Sequence, residues 1–420
     1  MKILNFIHKY KRLLENIISL YSIQGLEYLL GLIIFPYLVM VLGPDKYGMI
    51  ILCQTIINYF NLVVDYGFMF TGPRLIAINK NEKQAKIFMS IMATKFIICV
   101  FASMVLSIIY ILLEKIYIID KMVLYASYIV VIGNMLFPTW FFQGIEKMRY
   151  ITIVNLIARM ITTSSIFFIV KSQDDYIIAV ILQSIVPLLA GIFSICILLK
   201  EYKYLFIKIN INDIIYQFKD GWSIFISNIF ISIYTSSYIM VLGLFSSNEV
   251  IAYFGVIKKL IDCLMKVLGP VLQSVYPYIN KLVIENKQLA DSFIKKIAVI
   301  FMFIGFLLFI ILYFGAYNIV VYLFGKQYMM SINLLKILSG MPIFIIISNI
   351  LGFLILMPYG YKKDFSICIR NTLIFNLIIV VPLIYFYKAE GATLVMLLTE
   401  ICVNVMMLYH VKKRRIVFWR

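Results

Sequence analysis

Long apolar segments follow one another along this chain, and only short polar segments separate them. Twelve of the apolar segments are predicted as helices: 17–42, 47–69, 88–113, 122–142, 152–170, 176–199, 222–245, 253–278, 297–316, 337–357, 371–387 and 392–410. Most approach the length of about 20 residues that an α-helix needs to cross a bilayer. The pattern therefore predicts an all-α membrane protein with about twelve transmembrane helices.

The composition supports a lipid environment. Hydrophobic residues make up 63% of the chain and charged residues 14%, which is more apolar surface than a soluble core of 420 residues can hide. The net charge of +18 comes from short basic clusters between the apolar segments. Such clusters are typical of topology signals and of contacts with anionic lipids, and nucleic acid is not expected as a partner.

The basic residues also orient the chain. Both terminal segments and every second connection carry 26 Lys and Arg residues together, whereas the remaining connections carry seven. Because Lys and Arg accumulate on the cytoplasmic side, both termini are predicted to be cytoplasmic.

A short repeat indicates two halves. Met40-Val41-Leu42-Gly43 ends the first predicted helix, and Met240-Val241-Leu242-Gly243 ends the seventh. We therefore expect an N-terminal six-helix lobe, 1–200, and a C-terminal six-helix lobe, 201–420. Two six-helix halves are a recurring transporter plan in which the substrate path runs between them.

Motifs for bond-making chemistry are not found in the sequence. The only histidines are His8 and His410, and there is no Gly-rich phosphate loop, HExxH or GxSxG pattern. The six cysteines lie in or beside apolar segments without a CxxC pair. We expect no catalytic residue, no metal site and no cofactor, and the enzyme class is disfavoured.

Charged residues inside the predicted helices are the candidate functional residues, because a charge at mid-bilayer costs about 2.5–3.5 kcal/mol on insertion scales. Lys258, Asp262 and Lys266 are spaced i, i+4 and i+8, so they form one stripe on the eighth helix, and Lys259 borders it. Such a stripe suits an anionic substrate such as a pyrophosphate. Alternatively, Lys258 and Lys259 extend to the outer interface.

Two other cations and four carboxylates complete the candidates. Lys95 and Arg159 lie seven residues from the inner ends of their helices, where either a cavity or the interface is within reach. The carboxylates are Glu27, Asp65, Asp262 and Glu400. These carboxylates have two possible roles, which are to bind a coupling ion or to serve as structural hydrogen-bond partners. For Asp65, local capping of its helix is a further possible role.

Four local signatures resemble the Wzx-type O-antigen and polysaccharide flippases, which belong with MATE exporters and the lipid II flippase in one superfamily. They are Pro36-Tyr37-Leu38-Val39 through Gly43-Pro44 to Tyr47-Gly48, Asp65-Tyr66-Gly67-Phe68, Phe137 to Met148, and Phe324-Gly325 with Tyr328, Ser331 and Leu335. The stretch Trp140 to Met148 is the most specific of these.

The resemblance implies two six-helix lobes around a central cavity in a bacterial inner membrane. The implied substrate is an undecaprenyl-diphosphate-linked oligosaccharide, moved to the outer leaflet by alternating access. Lys258, Lys259, Lys266 and Arg159 match the need for basic groups at the diphosphate, with Lys95 as a further cavity candidate. A coupling proton or sodium ion and other polysaccharide assembly proteins are implied partners. A MATE-like drug/cation antiporter and a membrane glycan polymerase or acyltransferase are the alternatives.

Overall fold

A computed structural model describes the backbone of residues 2–117 and 119–414. Side chains are described for residues 25, 30–112, 114–117, 119–233, 235–269, 271–272 and 274–414. Within these ranges all regular structure is helical, as expected for the all-α class.

In chain order, the helices up to residue 245 are α1 (Lys2–Asp65), α2 (Phe68–Ile78), α3 (Asn81–Ile116), α4 (Lys121–Leu136), α5 (Thr139–Gly144), α6 (Met148–Ile169), α7 (Tyr176–Glu201) and α8 (Ile211–Phe245). They are followed by α9 (Asn248–Lys266), α10 (Gly269–Glu285), α11 (Lys287–Phe314), α12 (Ala316–Phe324), α13 (Ser331–Leu338), α14 (Met341–Asn349) and α15 (Lys362–Lys413). A π-helical segment, Ile350–Leu356, continues α14.

The two longest helices are each interrupted by a residue with positive φ. A straight helix of the 64 residues of α1 would be about 96 Å long, roughly three times the hydrocarbon thickness. Gly43 interrupts it with φ 72°, immediately before Pro44. In α15, Lys388 has φ 49° and ψ −123°. Both interruptions fall where the sequence predicts short outer connections.

Eight helical stretches in the described residues are long and apolar enough to cross a membrane, or nine if the bent α8 is one span. The stretches Leu30–Ile78 and Lys362–Lys413 each cover two of the predicted spans. Helix α8 bends by 49° between Ile233 and Thr235. The total of twelve spans remains a prediction, whereas the multi-pass helical architecture is established.

Several predicted helices are divided, contrary to expectation. The predicted helix 122–142 is broken at Pro138, which precedes α5, and 253–278 is broken before Gly269 and Pro270. Pro342 lies in the first turn of α14, as its second residue, rather than in the interior of a helix. Proline lacks a backbone N–H and clashes with the preceding turn, so it favours the start of a helix over its interior. Helix 47–69 also ends early, because α1 stops at Asp65.

The contacts divide the chain into two units. We call Ile33–Ala252 the first unit, and Met1–Leu32 with Tyr253–Arg420 the second unit. The six-helix lobes 1–200 and 201–420 remain a prediction beside this division.

In the first unit, a tight turn connects α1 to α2. Tyr66 and Gly67 both have positive φ, 50° and 83°. A Cβ on Gly67 would lie 2.8 Å from the side chain of Ile224, so this turn requires glycine. The Tyr66 ring stacks on Phe225 of α8 with centroids 4.6 Å apart. The second family signature therefore forms a packed junction between α1, α2 and α8.

The most specific signature packs α5 against α2. Trp140 is 1% exposed, and Phe141 and Phe142 are fully buried. A Cβ on Gly72 would lie 2.8 Å from the indole, so the glycine permits this close approach. Trp140, singled out from the sequence, therefore has a packing role here.

The second unit has an apolar core between α10, α11, the π-helical segment and α15. Leu354, Ile355 and Leu356 are fully buried in it, with Ile294 of α11 and Ile279 of α10. The π-helical backbone is visible in the bond from Met357 N–H to the Gly352 carbonyl, 3.0 Å. This core includes residues of α15, the helix that carries Glu400.

Candidate functional site

Helix α9 carries the predicted cationic stripe on the face opposite its core face. Ile257 and Ile261 are fully buried. On the other face, Lys258 Nζ donates to Asp262 Oδ2 at 2.8 Å, and Lys259 is half-buried. An i, i+4 ion pair of this kind contributes about 0.2–0.5 kcal/mol to a helix. Three lysines against Glu249 and Asp262 leave this helix with a net charge of +1.

Lys266 is the last residue of α9 and is exposed. After it the backbone changes to i→i+3 bonds, with Val267 N–H to Leu264 O at 3.3 Å and Leu268 N–H to Met265 O at 3.1 Å. The predicted continuous helix is wrong here, because Gly269 and Pro270 begin a new one. A cation at a helix C-terminus interacts favourably with its free carbonyls.

Lys95 and Asp65 lie together in the first unit. Lys95 is 3% exposed, and its Nζ lies 3.6 Å from Asp65 Oδ1 and 3.0 Å from the backbone oxygen of Asn134. The Asn134 amide in turn donates to Asn61 Oδ1 at 3.0 Å. A buried ammonium needs this compensation, since desolvating a charge costs several kcal/mol. The arrangement gives Lys95 a carboxylate and a carbonyl as partners.

Glu400 lies on α15 in the second unit and accepts a hydrogen bond of 2.6 Å from Ser348 Oγ of α14. Thr399, the residue directly before Glu400, accepts from the Asn376 amide at 3.0 Å. Among the described residues no cationic side chain pairs with Glu400 within 4.0 Å. The carboxylate is therefore held by a neutral donor, unlike Asp65.

Two candidates remain, Arg159 and Glu27. Arg159 is half-buried on α6 in the first unit. The side chain of Glu27 lies outside the described residues. The structure thus pairs Lys258 with Asp262 and Lys95 with Asp65.

The sequence analysis predicted only charged residues as functional candidates, so it did not include the uncharged polar residues of the first unit. Asn61 and Asn134 extend the hydrogen-bond network of Lys95. Gln54, Asn58 and Gln183 line a cavity. A signal was available, because Gln54, Asn58, Asn61 and Asp65 recur at i, i+4, i+7 and i+11 in an apolar helix.

This combination of interrupted membrane helices and charges on a helix face defines a polytopic membrane protein with a transporter fold. Two solved structures share that fold. One is described as the lipid II flippase MurJ in an inward closed conformation, with TM-score 0.74 and 14% identity over 94% of this chain and 87% of that chain. The other is an inward-facing multidrug resistance MATE family transporter of the MOP superfamily, with TM-score 0.69 and 13% identity over 92% and 93%.

The chain belongs to the family described as "Polysaccharide biosynthesis protein", whose match covers residues 13–283. It is 30% identical over 404 residues to an Escherichia coli (strain K12) protein described as "Putative O-antigen transporter", covering 96% of this chain and 97% of that protein. A Shigella dysenteriae protein of the same description is 29% identical over 406 residues, with 95% and 100% covered. The resemblance to Wzx-type flippases is confirmed.

Proposed function

We propose that this protein moves an undecaprenyl-diphosphate-linked oligosaccharide from the cytoplasmic to the outer leaflet of a bacterial inner membrane. The transport serves O-antigen or another surface polysaccharide. No covalent bond of the cargo changes in this process.

The observation that carries the proposal is the positively charged, interrupted helix pair α9 and α10. Lys266 ends α9 and is exposed where the backbone leaves regular helix. Irregular backbone at membrane depth is tolerated where it lines a water-filled cavity, and transporters commonly bind substrates at such breaks. An ammonium group there acts as a point charge toward a phosphate.

The diphosphate is assigned to Lys258, Lys259 and Lys266 of α9. The role of Arg159, on α6 of the first unit, remains a prediction from the sequence. The stripe has three cations and one anion, a net charge of +2, which matches the sign of the cargo. A drug/cation antiporter would favour the opposite sign in its binding region. The phosphate charges are neutralised by lysines while the polyprenyl chain stays in the bilayer.

Translocation is proposed to proceed by alternating access, in which the site opens to one side of the membrane at a time. Glu400 is the carboxylate we propose for ion coupling, since a neutral hydroxyl holds it. A carboxylate without a fixed cation can exchange a proton or sodium ion during the cycle. Asp65 is less suited to this task because Lys95 already compensates it.

The test is a lipid extraction from a strain that lacks the protein. We expect complete oligosaccharide repeat units on undecaprenyl diphosphate to accumulate on the cytoplasmic leaflet, and re-expression to clear them. Normal surface glycan without a trapped intermediate would overturn the proposal. Single repeat units on the outer leaflet would overturn it in favour of a polymerase.

A further inference from the structure

A polar stripe runs along the part of α1 that follows Gly43. Gln54, Asn58, Asn61 and Asp65 share one helix face and cover about 16 Å along its axis. Asp65 and Asn61 belong to the Lys95 network described above. Gln54 and Asn58 do not, and they border a cavity of about 170 Å³.

Helices α4 and α7 form the other walls of this cavity. Ser127 and Val130 come from α4, and Gln183 and Ser184 from α7. Together with Gln54, Ile57 and Asn58, the lining contains three amides and two hydroxyls and no charged side chain. The whole cavity lies in the first unit.

Three buried polar atoms around the cavity have no hydrogen-bond partner in the part of the chain that the structure describes. Ser127 and Ser184 are each 1% exposed, and neither Oγ has a hydrogen-bond partner among the described residues. The same holds for Nε2 of the partly buried Gln183. Buried polar atoms are nearly always hydrogen-bonded, and leaving one unsatisfied costs about 1–3 kcal/mol. These atoms therefore need an occupant that hydrogen-bonds.

Access to the cavity is provided beside Asn58, which is exposed although it lies seven residues inside the end of α1. An amide directed into hydrocarbon would have no partner, which is costly in lipid. We infer that this face of α1 borders water during transport rather than lipid.

The chemical groups that line the cavity indicate which class of ligand it can bind. Amides and hydroxyls each donate and accept hydrogen bonds, as sugar hydroxyls do. An uncharged lining offers no counter-charge to a phosphate or to a cationic drug. When no ligand is bound, the cavity has room for about six waters, at about 30 Å³ each. Those waters can leave when hydroxyl groups of a ligand replace their bonds.

We propose that Gln54, Asn58 and Gln183, with Ser127 and Ser184, form a saccharide subsite that hydrogen-bonds the glycan of the cargo. This inference rests on the proposed function and extends it. The diphosphate and the sugar are then recognised by different residues, charged ones on α9 and uncharged ones on α1, α4 and α7.

The experiment compares two probes with the purified full-length protein in detergent. One probe is undecaprenyl diphosphate, and the other is the undecaprenyl-linked oligosaccharide extracted from the deletion strain. For Asn58→Leu with Gln183→Leu, we expect about tenfold weaker binding of the oligosaccharide probe, from two lost hydrogen bonds, and unchanged binding of undecaprenyl diphosphate. Lys266→Ala should weaken binding of both probes.

The control is Gln173→Leu, an equivalent change at an exposed position just before α7. Ser184→Ala is a second subsite variant. It removes only one buried, unpaired oxygen, so we expect the variant to fold like the parent. It should bind the oligosaccharide probe less tightly than the parent while unfolding at the same temperature.

Two failures are distinguishable. If the parent protein binds neither probe, the proposed function fails. If the parent binds the oligosaccharide probe but the subsite variants bind it equally well, or lose both probes equally, the cavity holds water only and the subsite is wrong.

Discussion

Lys95 and Lys266 are the same residue type in membrane helices, yet their surroundings differ. Lys95 in the first unit is 3% exposed and bonded to Asp65 and Asn134. Lys266 in the second unit is exposed at a helix end. A compensated, buried cation stabilises packing, whereas an exposed cation at a break is ready for an external anion. The depth of a charge in the sequence does not distinguish these roles, but its partners do.

The largest effect is expected for Asp65→Ala. It leaves the Lys95 ammonium buried with only the Asn134 carbonyl as partner, so we expect a loss of about 3 kcal/mol in the free energy of unfolding. Thermal unfolding of the purified protein in detergent measures the loss. The double variant Asp65→Leu with Lys95→Met removes both charges and should recover most of it. Equal stability of Asp65→Ala and the parent would show that the pair has no structural role.

Lys266→Ala is expected to reduce glycan export about tenfold while lowering the unfolding temperature only slightly, since the helix C-terminus loses one favourable cation. The loss corresponds to one charge-assisted hydrogen bond, about 1.5–3 kcal/mol. Export is measured as surface polysaccharide in the complemented deletion strain, with membrane insertion checked by immunoblot. Lys266→Arg should retain more export than Lys266→Ala. Normal export by Lys266→Ala would remove this residue from the site.

Asp262→Asn probes the charge balance of α9. Removing the carboxylate frees Lys258, so the stripe gains one positive charge. At the dielectric constant of water and 4 Å, this charge is worth about 1 kcal/mol toward a phosphate, or near fivefold tighter binding of undecaprenyl diphosphate. The measurement is a binding titration at low and high salt, because screening should reduce the gain. Weaker binding at low salt would mean that Asp262 positions Lys258 for the ligand.

The smallest effect is expected for Ser348→Ala, which removes the hydroxyl that donates to Glu400. Hydrogen bonds between membrane helices average about 0.6 kcal/mol, so the unfolding temperature should fall only slightly. A loss as large as that of Asp65→Ala would place the two carboxylates in the same structural class.

Glu400→Gln is the matched variant for coupling, and it should fold normally while transport loses its response to an imposed ion gradient.

Much of the fold was predictable because lipid imposes strong constraints on sequence. Apolar segments gave the helical class, and the signature Asp65-Tyr66-Gly67-Phe68 coincides with a turn that requires glycine. The interruptions at Pro138 and Pro270 were missed, since proline is compatible with membrane helices and only packing decides whether the chain breaks.

The site was predictable only in part. The i, i+4 spacing of Lys258 and Asp262 was enough to expect their proximity, which the 2.8 Å contact bears out. The contact between Lys95 and Asp65 joins α3 to α1, and no local spacing indicates it. Side chains from three helices line the polar cavity, so its existence depends on tertiary packing rather than on any motif.

The π-helical segment Ile350–Leu356 has a consequence for how the gene can change length. Deleting one residue from an ordinary α-helix rotates everything beyond it by about 100° and misdirects each side chain that follows. A π-helical turn holds an extra residue, so a single deletion there returns the chain to regular α-helix with less disturbance. Within this helix, single-residue deletions should therefore survive selection at 350–356 more often than in α14 before it.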